Sequence, residues 1–196
     1  DTARDLVKKQ KIDALKIIYG NVSDMLSQLI RTAFVPAEGC EFAVADFSAI
    51  EARVLAWIAG EEWRLEVFRT HGKIYEASAS AMFGVPVERI KKGNPEYALR
   101  AKGKIAELAL GYQGSVGALV QMGALDMGLR EEDLPDIVHR WRASNRRIQD
   151  FWYTIERCAV DCIERGTPIT LPRGVRFTRD DQRMAIRLPS GRELSY

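Results

Sequence analysis

At Asp46 the chain changes period, and that change limits the folds open to it. The four residues before it, Phe42, Ala43, Val44 and Ala45, are small or apolar without alternation. Such a run predicts a short strand buried on both faces. From Ile50 to Ala59 the apolar positions take helical spacing, with Ile50, Val54, Leu55, Trp57 and Ile58 in a wide stripe and Glu51 and Arg53 outside it. The order is strand, Asp-Phe-Ser turn, helix. A carboxylate in that turn is placed either to bind a metal ion or simply to cap the helix that follows, and these residues alone leave both open.

The remainder reads as mostly helical. Helical spacing covers 13–18 and 22–33 around a Gly20-Asn21 break, then 61–70, 74–83 and 85–90. Asn94-Pro95-Glu96 predicts a helix start, with Asn at the N-cap, Pro at the first helical position and Glu at the positive end of the dipole; that helix runs to about Leu110. Gly111, Gly114 and Gly117 interrupt the chain, and further helices are expected over 116–122, 131–143 and 146–165. Beyond Gly166 the short β-like runs 168–171, 175–178, 184–188 and 193–196, separated by turn residues, predict antiparallel strands. The fold class expected is α+β, mainly helical.

Charge is locally uneven. The net charge of +2 sets up no global basic field. Between Lys91 and Lys104, however, five basic residues stand against the single acid Glu96, and Arg140, Arg142, Arg146 and Arg147 form a second basic cluster with no acid inside it. Three cysteines, Cys40, Cys158 and Cys162, cannot build a disulfide framework. Cys158 and Cys162 share a helix face and are expected to pack in a core. With no signal sequence or long apolar run, the chain reads as soluble and from a reducing compartment.

The helix after Pro95 holds most of the local positive charge. With Arg100 at zero, Lys104 lies at about 40°, Leu108 at about 80°, Tyr112 at about 120° and Glu107 at about −20°. One face thus carries two cations, an apolar residue and an aromatic. Ala98, Ile105 and Ala109 lie opposite, small enough for close packing. Glu107 is the odd member, because a carboxylate on the cationic face would repel an anion unless Lys104 or Arg100 pairs with it. A polyanion would feel both these cations and the dipole, although a solvated basic face would look the same.

Taken together, Ala45-Asp-Phe-Ser-Ala-Ile-Glu-Ala-Arg53 and the spacing Arg100-x3-Lys104-x7-Tyr112 resemble motifs A and B of the family A DNA polymerases. Arg31-Thr-Ala-Phe34, Gly72-Lys-Ile-Tyr75, Ala79 and Phe83-Gly84 look like family positions as well, so the resemblance covers about residues 27–117. Leu188-Pro-Ser-Gly-Arg-Glu-Leu-Ser-Tyr196 is similar to a phage-type branch.

The resemblance implies a role for each residue. Asp46 would bind two Mg²⁺ ions, with the Phe47 backbone carbonyl as a further ligand. Glu51 would lie beneath the incoming sugar and disfavour a 2′-hydroxyl. Arg100 and Lys104 would hold the triphosphate, and Lys104 would also donate a proton to the departing pyrophosphate. Leu108 would pack on the incoming base, and Tyr112 would stack near the template base and contact Glu51. Tyr75 stands where some members have a phosphate-touching His. Arg53, Arg140, Arg142, Arg146 and Arg147 are candidate DNA contacts. Primer–template DNA and deoxynucleoside triphosphates are the implied partners, with no membrane and with the cytoplasm of a bacterial or phage-infected cell as the location. Residues 1–59 would be the first part of a palm with a short sheet, 60–166 helical fingers, and 167–196 a β-rich return towards the palm.

Several positions depart from the family pattern. Ala49 replaces a usual Gln and Leu108 a usual aromatic, and Gln113 stands between Tyr112 and Gly114 where Gly usually follows the Tyr directly. No His-Asp-Glu occurs, since His71 and His139 precede Gly72 and Arg140, so the second metal-binding carboxylate is missing. Asp180-Asp181 reads as ordinary turn chemistry. The chain is therefore expected to be a polymerase piece that stops before its third motif, lacks a thumb, and is inactive alone. Two other classes remain: a helical nucleic-acid-binding module without chemistry, and a metal-dependent phosphodiester hydrolase built on Asp46 and Glu51.

Overall fold

Helical periodicity is realised over most of the chain in the computed structural model, which describes residues 2–196. The result is a mainly helical α+β structure with one small antiparallel sheet. Contacts divide it into two units, residues 1–46 and 47–196.

In the first unit, α1 (Thr2–Lys8), α2 (Ile12–Tyr19) and α3 (Val22–Leu29) follow one another, and the chain tightens into a 3₁₀ turn over Ile30–Ala33. α1 lies upstream of the first helix that periodicity marks out. α3 starts where the Asn21 side chain accepts a hydrogen bond from the Asp24 N–H at 3.1 Å, satisfying one of the unpaired donors of a helix start. Leu15 and Met25 are the buried apolar residues here.

The strand expected over 42–45 does not form. Residues 40–47 have no regular structure, Phe42 is exposed and Val44 is 91% exposed. An apolar run becomes a buried strand only when neighbouring strands pair its N–H and C=O groups. Among the described residues none pairs with this one.

The second unit contains α4 (Ile50–Ala59), α5 (Glu62–Thr70), α6 (Ile74–Phe83), α7 (Leu99–Leu110), α8 (Val116–Gln121), α9 (Leu134–Ser144) and α10 (Arg146–Arg165). The helix expected over 85–90 is only a 3₁₀ turn, Val87–Arg89. Another 3₁₀ turn, Pro95–Ala98, leads into α7. Asn94 does not cap it with its side chain: the Asn94 amide donates instead to the Arg89 carbonyl at 3.0 Å.

The main core gathers Met82, Ile105, Leu110, Leu119, Leu134 and Ile137 around Trp141, which stacks on Trp152 with ring centroids 6.1 Å apart and planes 12° from parallel. Gly103 sets how closely α7 approaches α6. A Cβ there would lie 2.1 Å from the Tyr75 carbonyl oxygen and 3.1 Å from the Ala79 Cβ. Only a residue without a side chain fits.

The strands β1 (Ile169–Thr170), β2 (Arg176–Arg179), β3 (Met184–Arg187) and β4 (Glu193–Ser195) form an antiparallel meander in sequence order. Its register aligns Ile169, Phe177, Ile186 and Leu194 on one face. Phe177 and Val175 pack with Cys162 of α10 in a second core that includes Cys158. Burial pushes the Cys158 thiol pKa up, as suits a packing role.

Candidate functional site

Burial divides α7 into two faces. Gly103, Ile105, Ala106, Glu107, Ala109 and Leu110 are buried, whereas Lys104 is exposed and Leu108 is 41% exposed. Tyr112, in the turn that follows, is 72% exposed. Lys104, Leu108 and Tyr112 therefore form one solvent-facing stripe with four-residue spacing. Lys104 has no hydrogen-bond or ion-pair partner among the described residues.

Arg100 stands at the edge of the stripe, half-buried. Its Nε donates to Glu76 Oε1 at 2.9 Å, and its guanidinium lies 5.3 Å from the centre of the Tyr75 ring. The Gly103 contact brings α6 and its Tyr75 and Glu76 to this position. Among the described residues, the terminal nitrogens of the Arg100 fork make no hydrogen bond to a carboxylate. Lys102, nearby, sits with Nζ 5.6 Å from the Phe83 ring centre.

Glu107 corrects the expectation from the helical wheel. It does not share the cationic face, being 6% exposed and turned into the core. The exposed sector starts between Arg100 and Lys104, so a residue only about 20° on the other side of Arg100 falls inside. Its Oε1 accepts from Arg64 Nη1 and Trp141 Nε1, each at 2.9 Å, while Oε2 pairs with Arg64 Nη2. Arg64 on α5 was invisible to sequence reasoning. The only signal was Glu107 itself, whose partner lies 43 positions away.

Asp46 is exposed and has no side-chain partner among the described residues. It does not cap α4: the N-cap is Ala49, in a left-handed conformation with no side-chain cap bond. The capping role is thus withdrawn, and a hard oxygen donor remains free. Phe47 is 79% exposed. Glu51 is exposed in the first turn of α4, and no hydrogen bond joins it to Tyr112 among the described residues. No group of three His, Cys, Asp or Glu side chains among the described residues could hold a metal ion, so Asp46 is one donor that needs others.

The remaining arginines behave differently from one another. Arg53 donates Nε–H to the Ser48 carbonyl at 2.9 Å and lies 4.4 Å from the Phe68 ring centre, bracing the turn before α4. Arg140 pairs with Asp136 at 2.6 Å and donates to the Met82 carbonyl at 3.2 Å. Arg142 donates to the Gly114 carbonyl at 3.1 Å and leaves its Nε buried without a partner. With Arg146, Ser115, His139, Asp150 and Tyr153 it lines a cavity of about 720 Å³. Arg147 is exposed, and its backbone N–H donates to Glu61 at 2.9 Å.

Asp180 has a structural task. Its Oδ1 accepts the backbone N–H groups of Gln182 and Arg183, both at 2.9 Å, closing the turn between β2 and β3. Those bonds, with Arg183 beside them, hold its carboxyl below the ordinary carboxylate value.

The helix and the turn after it thus show solvent an unpaired lysine, an apolar side chain and an aromatic, with an arginine at the edge, a set of groups with the chemistry to meet phosphate oxygens and a flat base. Sequence comparison narrows that class. The profile of DNA polymerase family A matches residues 10–170, and the chain belongs to that family. It is 58% identical over all 196 of its residues to a DNA polymerase of Bacillus phage SP02, of which it spans 30%. It is 30% identical over 168 residues, 86% of the chain, to the thermostable DNA polymerase I of Thermus aquaticus, of which it spans 18%. It is 28% identical over 142 residues, 72% of the chain, to DNA polymerase I of Pseudomonas aeruginosa, of which it spans 14%. The chain thus covers less than a third of each of these relatives. The match reaches well past the residues 27–117 on which the motifs rest. Polymerases of this family are in general metal-dependent. No helix among the described residues is long and apolar enough to cross a membrane.

Proposed function

We propose that this chain carries the nucleotide-holding part of a DNA-directed DNA polymerase, which adds deoxynucleotides to a primer 3′ end under template direction. The observation that carries the reading is the stripe of Lys104 and Leu108 on α7 and Tyr112 in the turn after it, with Arg100 at its edge, in a chain of polymerase family A. Residues 1–59 then serve as the first part of the palm, 60–166 as fingers and 167–196 as a strand-rich return.

The reaction is an in-line attack of the primer 3′-oxygen on the α-phosphorus, with pyrophosphate leaving. Its transition state spreads charge over the phosphate oxygens, so positioned cations supply most of the rate. Arg100 offers its terminal nitrogens as a fork, and Lys104 acts as a compact point charge that can also protonate the leaving pyrophosphate. Tyr75, against Arg100, adds a hydroxyl on the phosphate side. Leu108 packs on the incoming base and Tyr112 near the template base. Glu51 disfavours a 2′-hydroxyl.

Asp46, with the Phe47 carbonyl, would contribute hard oxygen ligands of the kind Mg²⁺ prefers. Two such ions, when bound, stabilise the attacking and leaving oxygens. Because the ligand set requires more carboxylates than Asp46, these 196 residues alone are expected to extend no primer. Arg142 and Arg146 in their cavity, and the exposed side chain of Arg147, suit phosphates of the DNA, whereas the side chains of Arg53 and Arg140 are engaged in the protein.

The test is Lys104→Ala in the polymerase that carries this chain. Turnover should fall by about 10²-fold or more, the scale of losing one oriented charge at a transition state. Unchanged turnover rejects the assignment.

A further inference from the structure

We propose that Glu107 and Arg64 are positioning residues that fix the rotation of α7 and thereby set where Lys104 and Leu108 meet the nucleotide; the inference rests on the nucleotide-holding reading of that helix. Both side chains are buried, Arg64 at 1% exposure, and they join three helices. Arg64 of α5 grips both oxygens of Glu107 on α7, and Trp141 of α9 donates to the same carboxylate. Arg64 Nη1 also donates to Asn145 Oδ1 at 2.9 Å, and Asn145 returns its amide to the Trp141 carbonyl at 2.7 Å, at the joint between α9 and α10. The guanidinium lies 5.5 Å from the Trp63 ring centre and 5.8 Å from that of Trp141.

The rest of the inner face of α7 is Gly103, Ile105, Ala106, Ala109 and Leu110. Their contacts are dispersive and lack direction, so they resist separation of the helices more than rotation about the axis. The bonds to Glu107 are directional and charge-assisted. Lys104 lies about 60° round the helix from Glu107 and Leu108 about 100° round, on the same rigid backbone. A rotation of about 10° moves groups at the roughly 5–6 Å outer radius by about 1 Å. Misplacement on that scale can cost about 10²-fold in rate.

The experiment uses the intact polymerase and compares Glu107→Gln, Arg64→Lys and Lys104→Ala. It measures the KM for nucleotide, kcat, the Kd for primer–template and the melting temperature. Glu107→Gln and Arg64→Lys should each raise the nucleotide KM about tenfold with the primer–template Kd unchanged. Lysine should fail to substitute although it keeps the charge, because it cannot span two carboxylate oxygens and Asn145 together. If Glu107→Gln does not fold, Arg64→Lys decides alone. A lowered melting temperature with KM at the parent value would show a purely structural role and overturn the proposal, as would a parallel rise in primer–template Kd. If Lys104→Ala slows the enzyme while Arg64→Lys leaves KM unmoved, only the positioning claim fails. If Lys104→Ala is itself without effect, the nucleotide-holding reading falls, and the positioning claim with it.

Discussion

The Tyr75 carbonyl oxygen on α6 occupies the space that a side chain on Gly103 of α7 would need, with only 2.1 Å between it and an ideal Cβ. Alanine is the better helix former by about 1 kcal/mol, so an unobstructed site would gain stability from Gly103→Ala. Here the obstacle is backbone, which cannot swing aside as a side chain can. We expect Gly103→Ala to lower stability by a net of about 1–3 kcal/mol, the cost of overpacking a tight interface. Thermal or denaturant unfolding checks this, and a stabilised variant would show that the helices are further apart than described.

Glu76 accepts a hydrogen bond from the Nε of Arg100. If it orients the fork, Glu76→Ala should raise the nucleotide KM of the polymerase by about tenfold, the value of one charge-assisted hydrogen bond. Glu76→Gln, which keeps an acceptor oxygen, should raise it by a smaller factor of about two to three. Steady-state kinetics at varied nucleotide separates the cases. A fall in KM would mean that Glu76 competes with the triphosphate instead.

Gln113 has φ of 63°, in the left-handed region where a side chain is strained. The motif resemblance implies a glycine at this position, directly after the tyrosine. Gln113→Gly should therefore stabilise the protein by about 1 kcal/mol, the usual cost of that conformation. A denaturant midpoint that falls or stays constant would indicate that the Gln113 side chain recovers the strain through contacts of its own.

The legible parts of this structure are those set by residues near one another in sequence. The period of α4, α5 and α6 located them, and the turns around Asp180 and Pro189 marked out the meander. The stripe of Lys104, Leu108 and Tyr112 follows from spacing alone. What spacing could not give was the depth to which α7 sinks. That depth is set by Arg64 and by the Gly103 approach to α6, both remote in sequence, and it moved Glu107 from the surface to the core. The 42–45 run failed for the complementary reason. Its composition describes a strand inside a sheet, and composition does not provide the neighbours that would pair it.

The Gly111–Gly117 stretch shows a similar limit. Three glycines suggest freedom, yet Gly114 is confined, since a Cβ there would lie 2.1 Å from the Ala109 carbonyl oxygen, and the left-handed turn falls to Gln113 instead. Glycine content reported where the chain is crowded as much as where it bends.

The two faces of α7 also divide its mutational freedom. Exchange of Lys104, Leu108 or Tyr112 should cost little in stability, because all three are exposed, so what limits change there is the ligand the stripe meets. Gly103 and Glu107 cannot change singly, because each fits a partner on another helix. The outward stripe is therefore constrained by the ligand it meets and the inward face by its neighbours, so Gly103 and Glu107 should change only together with their partners on other helices.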